Sequence, residues 1–160
     1  MRLESLPVNI RPITDAELPG YIATTMREYA EDKHTHGGLS LDEARKQSEQ
    51  ETEQYFPSGK LSPGHEVFIA IDDAGERVGR LWMAPRSGSC DEAFIFDIQV
   101  EPTARGNGYG RALMQEAAKW SREHGFRTLT LHVFGGNSVA INLYESLGFV
   151  TTDRMMKLEL

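Results

Sequence analysis

The chain of 160 residues has one cysteine, Cys90, so no internal disulfide can form and a reducing compartment suits it. No apolar run approaches the roughly 20 residues needed by a membrane-crossing helix, which excludes a spanning segment of that kind. The stretch 1–12 alternates polar and apolar residues. It lacks the continuous apolar core and small-residue cleavage site of a secretory signal, so a cytoplasmic protein is expected. Positive charge is short: 17 Lys and Arg face 24 Asp and Glu, a formal net charge of −7. No basic cluster is present to meet phosphates, which argues against nucleic acid, while the negative field favours a cationic or amine ligand. His34 and His36 share a loop without a third ligand at an informative spacing, so no metal site is expected. Repeats and low-complexity tracts are absent too. The length fits one domain over residues 1–160, with a core that needs no staple.

What is present is an alternation of strands and helices. Residues 8–13 read as a first strand, with Thr14 or Asp15 capping a helix from about Glu17 to Asp32. The glycines and histidines of 33–40 interrupt it before a charged helix over 41–55. Two apolar runs, 66–71 and 78–84, are joined by Asp72, Asp73, Ala74 and Gly75 as a hairpin. Residues 93–100 form the most apolar strand, with Asp97 its only ionisable member, and are expected at the centre of the sheet. Leu113, Ala117 and Trp120 recur at helical spacing and predict a helix over 110–124. A strand over 128–134, a helix over 137–147 and a closing strand or strand pair over 149–160 complete the chain. The two strands flanking the 110–124 helix should pair in parallel, giving a mixed α/β sheet with helices on both faces.

Between the apolar strand and that helix lie Arg105, Gly106, Asn107, Gly108, Tyr109, Gly110 and Arg111. Glycines here let backbone N–H groups approach an anion, and two arginines can add charge-assisted bonds to phosphate oxygens. The dinucleotide fingerprint fails because Arg111 stands at its third glycine, and a P-loop fails because Gly110 is followed by Arg111 and Ala112. A tight strand-to-helix connection would use the same glycines, so the loop alone leaves both readings open.

A second motif resolves the choice. Arg105, Gly108 and Gly110 follow a strand ending in Val100, Glu101 and Pro102. Farther on, Asn137, Ala140, Leu143, Tyr144, Gly148 and Phe149 keep a fixed spacing. Together the two segments resemble the GNAT N-acetyltransferase family, strongly over residues 93–150. The resemblance implies the family's fold, a mixed sheet with a splayed strand pair, and acetyl-CoA as cosubstrate.

It also implies roles. In the family, pantetheine pairs with the free edge of the splayed strand, at positions held here by Ile98 and Val100; the Val100 N–H would also polarise the thioester carbonyl. Tyr144 matches the tyrosine that donates a proton to the departing thiolate. Asn137 matches an asparagine near pantetheine and also suits a helix N-cap. The proton of the attacking amine needs an acceptor, and Glu92 and Asp97 are the candidates. Strict alternation puts them on opposite faces, and Glu92 is preferred because it can sit at the cleft mouth. His132 reads as a packed histidine and Cys90 as a bystander.

The acceptor is an amine of a small molecule or peptide, attacked directly in a ternary complex. The helices before residue 56 offer Glu28, Glu31, Asp32 and Glu43 to it. A noncatalytic CoA-binding domain and a transferase of longer acyl groups are the competing readings. A homodimer is compatible with the sequence, which marks no interface.

Overall fold

The computed structural model describes residues 7–160. Residues 1–6, part of the stretch read above for a secretory signal, lie outside the described residues. Strand β1 (Asn9–Pro12) leads to α1 (Leu18–Thr35) and α2 (Leu41–Tyr55), then β2 (Glu66–Ile71), β3 (Arg77–Pro85) and β4 (Glu92–Val100). Helix α3 (Tyr109–Glu123), β5 (Thr128–Leu131) and α4 (Ser138–Ser146) follow. The five strands lie in sequence order; the first four are antiparallel, and β4 pairs with β5 in parallel.

Local chemistry accounts for the helix ends. Ser40 caps α2 in a reciprocal box: Glu43 N–H donates to its hydroxyl, and the Ser40 N–H donates to the Glu43 carboxylate. Such a cap contributes about 1 kcal/mol. Before α1, Glu17 accepts from Arg11 at 2.7 and 2.9 Å and from Thr14 N–H at 2.9 Å. The Arg11 bond, then those from Thr14, hold its carboxyl well below the usual range. α1 runs three residues past the expected end, because the residues of 33–40 that break it are Gly37 and Gly38 rather than Lys33.

Helices cover both faces. α1 and α2 lie on one, where Leu18, Tyr21 and Phe56 pack on Val67 and Trp82. α3 lies on the other, where Met114, Ala117 and Trp120 meet Phe68, Leu81, Met83 and Ile95. The middle strand is β3, whose residues from Val78 to Ala84 are all buried; the expected centre, β4, is only half-buried over most of its length.

Two other expectations are corrected. The strand over 128–134 stops at Leu131, and no strand forms over 149–160, where every residue from Val150 to Leu160 is exposed. The tail makes no strand pairing and leaves its backbone groups to water, while the Lys157 ammonium comes beside Gly38 and Glu43.

Close packing between β3, β4 and α3 sits on Gly79. A Cβ at that position would lie 2.6 Å from the Gln99 carbonyl oxygen and 2.9 Å from a Leu113 methyl. Gly79→Val is therefore expected to destabilise the fold by about 1–3 kcal/mol through overpacking, read as a lower urea midpoint. An unchanged midpoint would show that β4 shifts aside freely.

Candidate active site

The site begins with an irregularity in β4. Trp82 pairs with Asp97 and Met83 with Ile95, so Phe96 is left without a register partner: a β-bulge. The Glu92 carbonyl accepts from Arg86 N–H and the Glu101 N–H donates to Val78 O, both on the β3 side. Glu92 and Glu101 are an odd number of residues apart, so both can point to β3 only because of the extra residue. Counting back from Glu101, the N–H groups of Val100 and Ile98 point to the opposite edge. There the register with β5 has already ended, at Ile95. β4 thus presents a stretch of backbone edge alongside which β5 has stopped. The side chains of Ile98 and Val100 meanwhile pack with Leu113 against α3.

The bulge also resets the faces. Phe96 and Asp97 both project toward α1 and α2, and Glu92 shares that face through Arg86, whose guanidinium lies over Phe94. The expectation of opposite faces is therefore wrong. So is the placement of Glu92 at the cleft mouth: it is tied to Arg86 at 3.1 and 3.2 Å and does not line the cavity, whereas Asp97 does.

At one end of the open edge lies the glycine-rich turn. Gly106 and Gly108 have φ of +81° and +85°, and Gly108 is the N-cap of α3 with no side chain closing it. The first amides of a 15-residue helix are thus left for an anion. Gly110 serves packing instead, since a Cβ there would come within 3.2 Å of Leu143 on α4. Arg105 donates to Val100 O at 3.3 Å, and the Asn107 amide closes the turn onto Ala104 O at 3.1 Å. Arg111 reaches Ser146 on α4 at 3.0 Å, and Tyr109 packs against the buried cluster of Ala70, Val78 and Leu113. Positive-φ glycines, an uncapped helix start and an adjacent bare strand edge suit a pyrophosphate joined to an amide-bearing arm.

At the other end opens a cavity of about 320 Å³ between α1, α2, β4 and the chain after β5. Tyr29, Tyr55, Phe56, Trp82, Phe94, Phe96, Phe134 and Tyr144 wall it, and Glu28, Asp32, Glu51 and Asp97 supply its carboxylates. Glu31 and Glu43 do not line it; Glu43 is spent on the α2 cap. Arg80, only 5% exposed, bonds Asp97 at 2.7 Å and also pairs with Glu28, while the Tyr21 hydroxyl donates to Asp97 at 3.0 Å. Burial alone would lower the guanidinium, but Asp97, by charge and hydrogen bond, and then Glu28 hold it above its ordinary value. Glu51 is paired with buried Lys33 at 2.6 Å.

Asp32 differs: its carboxylate has no hydrogen bond or ion pair among the described residues. Burial raises its pKa; nearby His36 opposes this, and Glu28, Asp97 and Glu31 add to it. Tyr144 also faces the cavity, and its hydroxyl has no hydrogen-bond partner among the described residues. Burial and then Asp97 push the phenol up, so it keeps its proton at neutral pH. Asn137 caps α4, accepting from Ala140 N–H at 3.3 Å, which leaves its amide N–H groups available. His132 lines the cavity edge-to-face on Phe134, and Cys90 is exposed on the loop before β4 and does not line the cavity. Among the described residues no group of three or more His, Cys, Asp or Glu could hold a metal ion, and no helix is long and apolar enough to cross a membrane.

Sequence reasoning missed the aromatic wall and the role of Arg80. The second had a signal: Arg80 is the lone charge of the apolar run 78–84, as Asp97 is of 93–100, and lone opposite charges on neighbouring apolar runs call for each other.

Comparison with known proteins agrees with this geometry. The family model of the Acetyltransferase (GNAT) family matches residues 23–149. Two uncharacterized N-acetyltransferases of Bacillus subtilis (strain 168) are each 31% identical: YdgE over 94% of this chain and 97% of its own, and YycN over 97% and 100%. The crystal structure of YycN superposes with a TM-score of 0.89 over 96% of this chain and 99% of that one. With motif, fold and full-length relatives in accord, the chain belongs to the GNAT family and is an acetyl-CoA-dependent N-acetyltransferase.

Proposed function

We propose that this enzyme transfers the acetyl group directly to a primary amine of a small molecule or peptide, with both substrates bound at once. The reading rests on one juxtaposition: the bare edge of β4 runs from the uncapped start of α3 to a carboxylate-rich aromatic cavity. Phosphates at Gly106 and Gly108 would leave the pantetheine arm along Ile98 and Val100, and its thioester facing the cavity. The thioester supplies an activated acyl carbon. Val100 N–H is aimed to stabilise negative charge on its oxygen.

The cavity suits an organic cation. Aromatic faces attract an ammonium, and the carboxylates outnumber the cations paired with them. A protonated amine cannot attack, so it must first lose a proton, and Asp32 is the cavity carboxylate with no hydrogen bond or ion pair among the described residues. Asp97, already accepting from Arg80 and Tyr21, orients the wall instead. The amine nitrogen bonds to the acyl carbon, the carbon–sulfur bond breaks, and the leaving thiolate takes the proton of Tyr144. Holding both reactants in one geometry makes a covalent enzyme intermediate unnecessary.

Three measurements test this assignment. Tyr144→Phe should lower kcat at least about tenfold, or roughly 1.4 kcal/mol of transition-state stabilisation, with acetyl-CoA affinity nearly unchanged; an undiminished kcat removes the acid role. Gly108→Val forces a β-branched residue into a left-handed conformation and should weaken acetyl-CoA binding by about tenfold or more in calorimetric titration. Equal affinity there would refute the phosphate site. A base must be deprotonated to work, so kcat/KM should rise with pH through the Asp32 titration, which burial moves above an aspartate's ordinary value. Asp32→Asn should abolish that limb; a profile of the same shape excludes Asp32 as base.

A further inference from the structure

One wall of the cavity already holds an ammonium group, and that group belongs to the protein. Lys33 on α1 is only 6% exposed. Its Nζ donates to Glu51 at 2.6 Å and to Gln47 Oε1 at 3.3 Å, both on α2, and lies 4.6 Å from the centroid of the Tyr29 ring. A carboxylate, an amide oxygen and an aromatic face are the groups that can replace water around an alkylammonium. Burial and then Glu51 push the Tyr29 phenol up to about 12, so that ring stays neutral.

Tyr29 and Glu51 line the cavity, whereas Lys33 does not. The lysine therefore reaches its partners from behind the wall, out of the space between α1 and α2. The Glu51 side chain remains 37% exposed, so its carboxylate serves Lys33 on one side and open space on the other. A tie between the two helices does not account for this arrangement. They are already joined by the Ser48 hydroxyl, which donates to Met26 O at 2.7 Å, and by the buried Ala30 and Ala44. An apolar side chain would extend that joint without the cost of burying a charge. What a lysine adds is electrostatic: Glu51 enters the cavity wall already neutralised. Glu28 and Asp97 are held by Arg80 in the same way, which leaves Asp32 as the cavity carboxylate with no hydrogen bond or ion pair among the described residues.

We propose that Lys33 is a specificity-determining residue: it fills, from the enzyme's own chain, an ammonium subsite made by Glu51, Gln47 and Tyr29, and so restricts the acceptor to amines that bring no second ammonium to the α2 wall. The inference rests on the reading of this cavity as the acceptor site. The far ammonium of a diamine would meet a carboxylate whose charge is spent and a like charge just behind it. The near ammonium, the one to be acetylated, keeps Asp32. The favoured acceptors are primary amines whose remainder is uncharged, which suits the rings of Tyr55 and Phe56 farther along the wall.

The test is an NMR titration of the enzyme–CoA complex at neutral pH with α,ω-diamines of about three to six carbons, each set against the n-alkylamine of the same length, all of them protonated there. Lys33→Met keeps an unbranched stem and removes the charge. In it, at least one diamine should gain about tenfold in affinity relative to its monoamine, compared with the wild-type ratio. The same ratio is read in Lys33→Gln, which can still donate to Glu51, so the result does not hang on the fold of one variant. Adding Glu51→Gln should cancel the gain, an outcome that a purely structural lysine does not produce, and unchanged CoA affinity marks an intact fold. Monoamine binding with no diamine gain, or a gain that survives Glu51→Gln, would overturn the role of Lys33 alone. Amines that bind neither wild type nor variants would overturn the cavity as acceptor site, and the subsite with it.

Discussion

Strand β4 changes its surroundings halfway along, and the active site depends on that change. Up to Ile95 it is held by β3 on one edge and β5 on the other; beyond it, register continues with β3 alone. The bulge at Phe96 falls at this transition. It turns Asp97 to the face of Phe94 and Phe96, and it sends the amides of Ile98 and Val100 to the edge that β5 has left. Backbone groups without a partner are costly unless water or a ligand meets them, so an open edge inside a sheet is a place prepared for something to bind.

The wall opposite that edge is organised by one buried cation. Arg80 stands in the most buried strand and is matched by Asp97 on β4 and Glu28 on α1, with Tyr21 adding a fourth member. A buried ion pair is weak evidence of stability, since desolvation consumes much of its Coulomb energy. Its geometric effect is firmer: it joins two strands to the helix that faces them and fixes two carboxylates at the cavity. One guanidinium between two carboxylates leaves negative charge, and Asp32 adds more. The cavity is therefore anionic where a cationic substrate would enter.

Much of the fold was legible in residues 41–147 because local signals agreed there: the apolar stripe of α3, the Asp72 to Gly75 turn, and Asn137 and Gly148 bracketing α4. The glycine turn and the Tyr144 segment were legible as spaced motifs. Three features were not, for three reasons. A bulge changes parity without changing composition, so alternation misplaced Glu92 relative to Asp97. The stop of β5 at Leu131 is set by where β4 departs, although Val133 and Phe134 would continue a strand by propensity. The aromatic wall draws on α1, α2, β3, β4 and the chain after β5, and no window along the sequence contains it.

This division of labour separates what must stay constant from what can vary. In the proposed reading the acyl donor would be met by backbone: amides of the α3 start and of Ile98 and Val100, whose side chains serve the core. Such contacts tolerate many sequences provided glycines keep their turns and the bulge keeps its parity. The acceptor would be met by side chains from α1 and α2, of which Tyr29 and Asp32 form no hydrogen bond or ion pair with β4 among the described residues. On that reading a chain declares its chemistry in two short motifs while its choice of amine would be dispersed among Asp32, Glu28, Tyr29 and Tyr55. Specificity would then be a property of a tertiary surface, and donor binding a property of local backbone shape.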